Sequence, residues 1–241
     1  MNQSRILDTA RRSWRLALTL TATCGLAPAA TPGLLEDFEG VPASWGVEQQ
    51  YALGLAEVVP DGGPLGAGDG YLVYESTGVG RGGARMTLPA DTFGAPDWAG
   101  DYAGSGVTGV SADVRNPGDT PLSLRLAVSS SGASYTTTTP VVIPAGSEWL
   151  SVALVFEDSA FTNLTGNEGD WPLSRVLGAV EDIRFLSSED LPTLGNPYPR
   201  GDVIAATIAV DNVLLTPEPS SCLLLSLAAA TALPRRRCSR G

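Results

Sequence analysis

Residues 122–128 read Leu-Ser-Leu-Arg-Leu-Ala-Val, an alternation that places a large aliphatic side chain at every second position. Successive side chains of a β-strand point to opposite faces, so this period of two predicts a strand with one face in a core. The turn-forming sequence Asn-Pro-Gly-Asp precedes it at positions 116–119. The pattern and the turn together predict a strand that enters a sheet directly after a tight reversal.

Similar strand patterns recur on both sides of this segment at intervals of roughly ten residues, and Gly- or Pro-containing turns separate them. The predicted strands cover residues 71–75, 84–88, 107–114, 122–128, 135–143, 149–156, 180–186 and 204–215. Only residues 173–180 suggest a helical period. We therefore predict an all-β fold, a jelly-roll β-sandwich that spans residues 30–215.

The first 29 residues have the three parts of a secretory signal peptide. Arginines stand at positions 5, 11, 12 and 15, an apolar run follows at 16–26, and Ala-Pro-Ala at 27–29 supplies a small-x-small cleavage site. The apolar run is shorter than the ~20 residues that span a bilayer. We predict export with cleavage near Ala30; an uncleaved membrane anchor and lipidation at Cys24 are the alternatives.

The last 26 residues, 216–241, have a different three-part order. A Pro-Glu-Pro motif comes first, an apolar stretch follows at 221–233, and a cluster of arginines comes last. The motif is formed by Pro217, Glu218 and Pro219, and the cluster by Arg235, Arg236 and Arg237. Arginines that follow an apolar segment hold that end on the cytoplasmic side of a membrane. The tail therefore predicts a stop-transfer segment.

This tail resembles the PEP-CTERM sorting signal of exported bacterial proteins. The resemblance implies that an exosortase-type processing enzyme acts on the chain, that the apolar segment is only transiently in the inner membrane, and that the mature protein reaches the cell surface or the extracellular matrix. The apolar stretch has 13 residues, where ~20 usually span a bilayer. A permanent C-terminal anchor is the alternative.

The charge and composition restrict the possible functions. The formal charge is −11, and between Ala30 and Thr216 there are 24 Asp and Glu against seven Arg. Such a surface repels phosphate backbones, so we predict no nucleic-acid partner. The sequence contains no His, which excludes a Ser-His-Asp triad. Its three cysteines, Cys24, Cys222 and Cys238, all lie in the terminal segments.

Two segments at the ends of the predicted domain resemble the carbohydrate-binding-module jelly rolls, a galactose-binding-like family. They are Glu-Asp-Phe-Glu-Gly at 36–40 and Ala-Val-Asp-Asn-Val at 209–213. The resemblance implies that the first and last strands lie side by side and share a structural Ca²⁺. Its side-chain ligands would be Glu39 and Asp211, because a hard cation prefers carboxylate and carbonyl oxygens. Solvated edge charges are the alternative interpretation of both residues.

A loop at residues 97–102 is the candidate sugar-binding site. It interleaves two aromatic residues, Trp98 and Tyr102, with two carboxylates, Asp97 and Asp101. Sugars are bound by flat aromatic faces flanked by polar groups. The alternative is a loop whose rings fold back onto the sandwich; Trp45 and Trp149 are expected to be core residues.

Three functions remain open at this level. The first is a non-catalytic surface or matrix protein that binds polysaccharide. The second is a secreted carbohydrate-active enzyme that uses Asp and Glu alone. The carboxylate pairs 157–158, 181–182 and 189–190 are poor candidates for it, because neighbours on a strand face opposite ways. The third is a structural surface protein without a ligand.

Overall fold

The computed structural model describes residues 29–39, 45–46, 56–79, 84–91, 95–195 and 198–219. Strands dominate this part of the chain. In chain order they are β1 (Leu35–Glu36), β2 (Ala56–Val59), β3 (Tyr71–Thr77), β4 (Thr87–Asp91), β5 (Val107–Arg115), β6 (Leu122–Ser129), β7 (Ser134–Thr137), β8 (Val141–Ile143), β9 (Leu150–Val155), β10 (Phe161–Asn163), β11 (Asp182–Ser187), β12 (Thr193–Leu194), β13 (Pro199–Arg200) and β14 (Ala205–Pro217). Two short helices are α1 (Tyr102–Ser105) and α2 (Leu173–Leu177).

The strands form two large antiparallel sheets. The first sheet has the order β2-β3-β14-β5-β9, with β1 also paired to β14. The second sheet has the order β10-β7-β6-β11-β4, with β8 also paired to β6. The chain passes repeatedly from one sheet to the other, as in jelly rolls. The prediction of an all-β sandwich is confirmed.

The alternating segment 122–128 becomes β6, at the centre of the second sheet. Its aliphatic side chains Leu124 and Leu126 are buried in the core, and Leu126 lies opposite Phe185 on β11. The other face of β6 is buried as well, because Arg125 and Ala127 are almost inaccessible to solvent. The sequence predicts a half-buried strand, and the structure covers both of its faces.

The strand predicted at 135–143 is wrong as a single element. It divides into β7 and β8, separated by bends at Thr138 and Thr139 and by Pro140. Proline has no backbone N–H to donate to a ladder, which explains the break. As a result β7 pairs with both β6 and β10, whereas β8 pairs with β6 alone among the described strands.

The two ends of the described domain lie next to each other. Gly33 N donates to Leu215 O at 2.8 Å, and Leu215 N donates to Leu34 O at 2.9 Å. Beyond them, Glu218 N donates to Gly106 O at 2.8 Å, so the Pro-Glu-Pro motif starts on the last strand itself. None of the helices in the described ranges has the length and apolar character that spanning a membrane requires. Of the predicted cleavage run only Ala29 is described, and Arg235, Arg236 and Arg237 lie outside the described residues.

Candidate functional site

The loop at 97–102 folds back onto the end of the sandwich. Gly100 forms a bridge with Val180, and Tyr102 donates a hydrogen bond to the carbonyl oxygen of Trp98. Trp98 is 2% exposed and Tyr102 is fully buried, and burial raises the pKa of the Tyr102 phenol above its usual range. Neither ring has a face for a sugar, so the prediction of a stacking surface here is corrected by the structure.

The two carboxylates of this loop have separate positions. Asp97 is exposed in a 3₁₀ turn. Asp101 caps α1, and its Oδ1 accepts a hydrogen bond from Gly104 N at 2.7 Å. A short polar side chain at a helix N-terminus satisfies backbone donors that would otherwise lack partners. The polar residues that suggested a binding loop therefore contribute to the folding of that loop.

The outer face of the second sheet carries a set of polar groups, most of which are buried. The strand registers place Asp182 beside Ser129, Arg184 beside Ala127, and Leu186 beside Arg125. All six side chains point away from the core, because they alternate with its aliphatic residues. We call this surface the polar face; its polar members are Thr87, Arg125, Ser129, Ser134, Thr136, Asp182 and Arg184.

At the centre of the polar face lies a buried ion pair. Arg184 Nε donates to Asp182 Oδ1 at 2.5 Å, and Nη2 donates to Oδ2 at 2.8 Å. The side chains are 3% and 0% exposed. The ring of Tyr198, which is half-buried, lies over the guanidinium, with 4.7 Å between Cζ and the ring centroid. A planar guanidinium suits both a two-point carboxylate contact and an aromatic face.

Arg125 holds the segment 188–202 onto the polar face. Its guanidinium donates to four carbonyl oxygens at 2.6 to 3.0 Å, two at the end of β7 and two on residues 188 and 189. Burial lowers the pKa of Arg125 from its usual value. Asp202 in turn accepts hydrogen bonds from Ser188 Oγ at 3.0 Å and Glu189 N at 3.1 Å. These contacts fix the segment that carries Tyr198 and explain why both faces of β6 are buried.

The strand pairing brings the regions of Glu39 and Asp211 together. Leu35 and Glu36 pair with Leu214 and Val213. Glu39 Oε1 accepts a hydrogen bond from Gly70 N at 2.6 Å, and a Cβ placed on Gly70 would lie 3.1 Å from Phe38 O and 3.5 Å from Glu39 Oε1. A main-chain carbonyl and a carboxylate therefore converge beside Gly70.

Asp211 is fully buried, and no arginine among the described residues forms an ion pair with it. Burial is the largest cause that raises its pKa to about 7, and the carboxylates of Asp69, Asp113 and Asp37 raise it further against the hydrogen bond from Asn212 N. Phe38 and Asn212 have positive φ angles of 53° and 49°. Strained backbone of this kind occurs preferentially at functional sites.

The donor types around Glu39 and Asp211 suit a hard cation. Glu39 and Asp211 carry carboxylate oxygens and Phe38 O is a carbonyl, which are the oxygen types that such a cation prefers. Within the described ranges, no three acidic or sulfur- or imidazole-bearing side chains are arranged to hold a metal by themselves. Main-chain carbonyls or water would therefore complete any coordination shell.

Sequence reasoning missed Arg125, Arg184 and Tyr198. The Asp-x-Arg spacing at 182–184 was a usable signal, because residues two apart on a strand share a face. Arg125 occupies a polar position of the most regular alternation in the chain. The position of Tyr198 over Arg184 had no sequence signal, since it depends on the path of the segment between β11 and β14.

No protein-family model matches the chain, and a search of curated proteins finds no matching relative. Several solved structures are similar in shape. A family 11 carbohydrate-binding module from Clostridium thermocellum, solved with a β-1,3-1,4-mixed-linked tetrasaccharide, is 17% identical, with a TM-score of 0.46 over 79% of this chain and 98% of that one. An exo-β-agarase is 15% identical, with a TM-score of 0.48 over 79% of this chain and 25% of the enzyme. A putative glycoside hydrolase from Bacteroides vulgatus is 14% identical, with a TM-score of 0.42 over 79% and 100%. Values this low do not assign the chain to a family.

Proposed function

We propose that this protein is an exported cell-surface or matrix protein whose β-sandwich binds polysaccharide without cleaving it. The polar face is the observation that supports the proposal best. Its accessible group is the half-buried ring of Tyr198, which lies over the Arg184 guanidinium. The guanidinium and the hydroxyl groups of the neighbouring strands are almost inaccessible to solvent and support this ring from the sheet. Aromatic surface beside a few fixed polar groups is the composition of a typical sugar site.

The polar groups of this face are held in place before any ligand arrives. Arg184 is fixed by Asp182, Ser129 Oγ and Ser134 Oγ are 2.8 Å apart, and Arg125 is fixed by four carbonyl oxygens. These groups are almost inaccessible to solvent, so they act by fixing the position of the Tyr198 ring rather than by touching a sugar. A ring that is already ordered loses little entropy on binding, so even a weak contact with a sugar yields net affinity.

Replacing Tyr198 by alanine is expected to weaken polysaccharide binding about tenfold, since a sugar–aromatic contact is worth on the order of 1 kcal/mol. Tyr198→Phe retains the ring and should bind nearly as well as the unmodified protein. Affinity electrophoresis of the full chain through gels that contain mixed-linkage β-glucan, agarose or other neutral polysaccharides measures the effect.

If no polysaccharide retards the unmodified protein, the purely structural role is correct. Release of reducing ends from any of these polymers would favour the alternative, a carbohydrate-active enzyme that uses Asp and Glu alone.

The export part of the proposal rests on the two terminal segments. Pro217 ends the last strand and Glu218 and Pro219 follow it, and all three residues are exposed, which supports access of an exosortase-type enzyme to the motif. Mass spectrometry of the protein recovered outside its host should give an N-terminus near Ala30 and a C-terminus close to the Pro-Glu-Pro motif. Recovery with Cys222 and Cys238 intact would contradict the processing of the tail.

We also propose a structural Ca²⁺ that joins the first and last strands through Glu39 and Asp211. Three observations support it: the buried carboxylate of Asp211, which no arginine of the described residues pairs with, the convergence of Phe38 O and Glu39 Oε1 beside Gly70, and the positive φ angles of Phe38, just after β1, and of Asn212 on β14. The bound ion would offset the effects of burial and of the neighbouring carboxylates, which raise the Asp211 pKa.

A further inference from the structure

The outer face of the first sheet carries an arginine that lies beside two aromatic rings. Arg115 ends β5, Trp149 precedes β9, and Tyr71 begins β3. The guanidinium Cζ lies 5.6 Å from the Trp149 ring centroid and 5.9 Å from that of Tyr71. The two rings meet edge to face with 5.3 Å between centroids. We infer that this aromatic–arginine cluster is a second ligand site, which binds a carboxylate-bearing sugar such as a uronate.

The three side chains are brought together by strand register. Val114 pairs with Leu150 and Val210 with Leu72, so the residues next to them, Arg115, Trp149 and Tyr71, lie on the face of the sheet away from the core. Tyr71 is only 8% exposed, so a ligand would contact Trp149 and Arg115. The indole is anchored from below, because its Nε1 donates to Gly62 O at 3.3 Å. Trp149 and Arg115 are both half-exposed. Trp149 is thus only partly a core residue, in contrast to the expectation from the sequence.

Arg115 differs from the other arginines that stack on rings. Arg184 is paired with Asp182, and Arg175, which lies 4.0 Å from the Trp171 ring centroid, donates to Asp170 O at 2.8 Å. Arg115 has no hydrogen bond and no ion pair with any residue of the described ranges. Its donors are therefore available to a ligand while its position is fixed by the rings.

The chemistry of this cluster selects an anionic sugar. A guanidinium binds a carboxylate through two parallel hydrogen bonds, and an indole packs against the apolar face of a pyranose. In a protein of formal charge −11, an arginine that forms no ion pair within the described ranges is the local feature that attracts an anion. Asp113 shares this face two positions earlier on β5, where Ser151 and Asn212 hold its oxygens. The ligand carboxylate is thus expected on the Trp149 side of Arg115, away from Asp113.

The cluster is separate from the polar face. The two lie on the outer sides of opposite sheets, so occupancy of one does not block the other. A domain with both sites can hold two polysaccharide chains at once, which is how a matrix protein links polymers.

The test compares polygalacturonate with the same polymer after methyl esterification, titrated into the full chain at low salt by calorimetry. Esterification removes the negative charge of the sugar carboxylate and leaves the pyranose ring unchanged. The unmodified protein should therefore bind polygalacturonate about tenfold more tightly than its methyl ester. Arg115→Gln should lose that preference, and Arg115→Lys should retain only part of it, because an ammonium lacks the planar fork. Arg175→Gln is the matched control and should behave as the unmodified protein.

Equal binding of acid and ester by the unmodified protein overturns the inference without any variant. An undiminished preference in a folded Arg115→Gln protein overturns it as well, and so does an equal loss in Arg175→Gln. Binding at the polar face is measured separately, by the retardation of the protein in gels of neutral polysaccharide and by the effect of Tyr198→Ala on that retardation. The proposal for the polar face and the proposal for the Arg115 cluster can therefore fail independently.

Discussion

Replacing Asp182 by alanine is expected to lower the free energy of unfolding by about 3–5 kcal/mol, because the substitution leaves the Arg184 guanidinium buried without its counter-charge. The pair makes two hydrogen bonds and is almost inaccessible to solvent. A buried guanidinium without a counter-charge lowers the free energy of unfolding far more than the loss of one contact does. Chemical denaturation of the variant and the unmodified protein measures the difference.

Two further variants separate this explanation from a general sensitivity of β11. The double substitution Asp182→Leu with Arg184→Met removes both charges and should lose less stability than Asp182→Ala alone. Asp158→Ala removes an exposed carboxylate and should change stability by less than about 0.5 kcal/mol. A loss below about 1 kcal/mol for Asp182→Ala would show that the pair contributes little.

Millimolar Ca²⁺ is expected to stabilise the protein by about 4 kcal/mol if the site at Glu39 and Asp211 has a micromolar dissociation constant, because a ligand that binds only the folded state adds RT ln(1 + [L]/Kd). For a domain of this size the unfolding midpoint should rise by roughly 10 °C. Thermal unfolding of the full chain with Ca²⁺ and then with excess EDTA measures the shift. An unchanged midpoint would rule the site out.

The pH dependence without Ca²⁺ gives an independent check on the same residue. The folded-state pKa of Asp211 is raised from 3.8 to about 7, so the folded protein holds a proton that the unfolded chain releases. Stability in EDTA should therefore fall as the pH rises from about 4 to 7. Asp211→Asn carries no such charge, so it should remove both this fall and the response to Ca²⁺.

The fold could be predicted where the local alternation of apolar residues agrees with the burial of the strand in the structure. The alternation at 122–128 identified β6 and its core face, and the turn at 116–119 identified its start. The burial of the opposite face of β6 could not be predicted, because it depends on the segment at 188–202, which is distant in sequence and is held by hydrogen bonds from Arg125 to main-chain carbonyls. Every residue carries a main-chain carbonyl, so a hydrogen bond to one cannot be predicted from the amino-acid pattern.

The candidate sugar site was harder to locate than the fold. Trp98 and Tyr102 were placed in a binding loop because Asp97 and Asp101 flank them, yet Asp101 caps α1 and the rings close the end of the core. Polar residues near aromatic ones are compatible with both arrangements. The bridge between Gly100 and Val180 decides between them, and it depends on residues about 80 positions apart in the chain.

The most direct test of polysaccharide binding by the polar face is a map of backbone amide chemical shifts. The full chain is titrated with the neutral soluble polysaccharide that retards it most in affinity gels. We predict that the perturbed amides cluster on β6, β11 and the segment 188–202 around Tyr198, and that no reducing ends appear during the titration. Perturbations confined to other surfaces, or none at saturating polymer, would contradict the assignment of the polar face as the binding site.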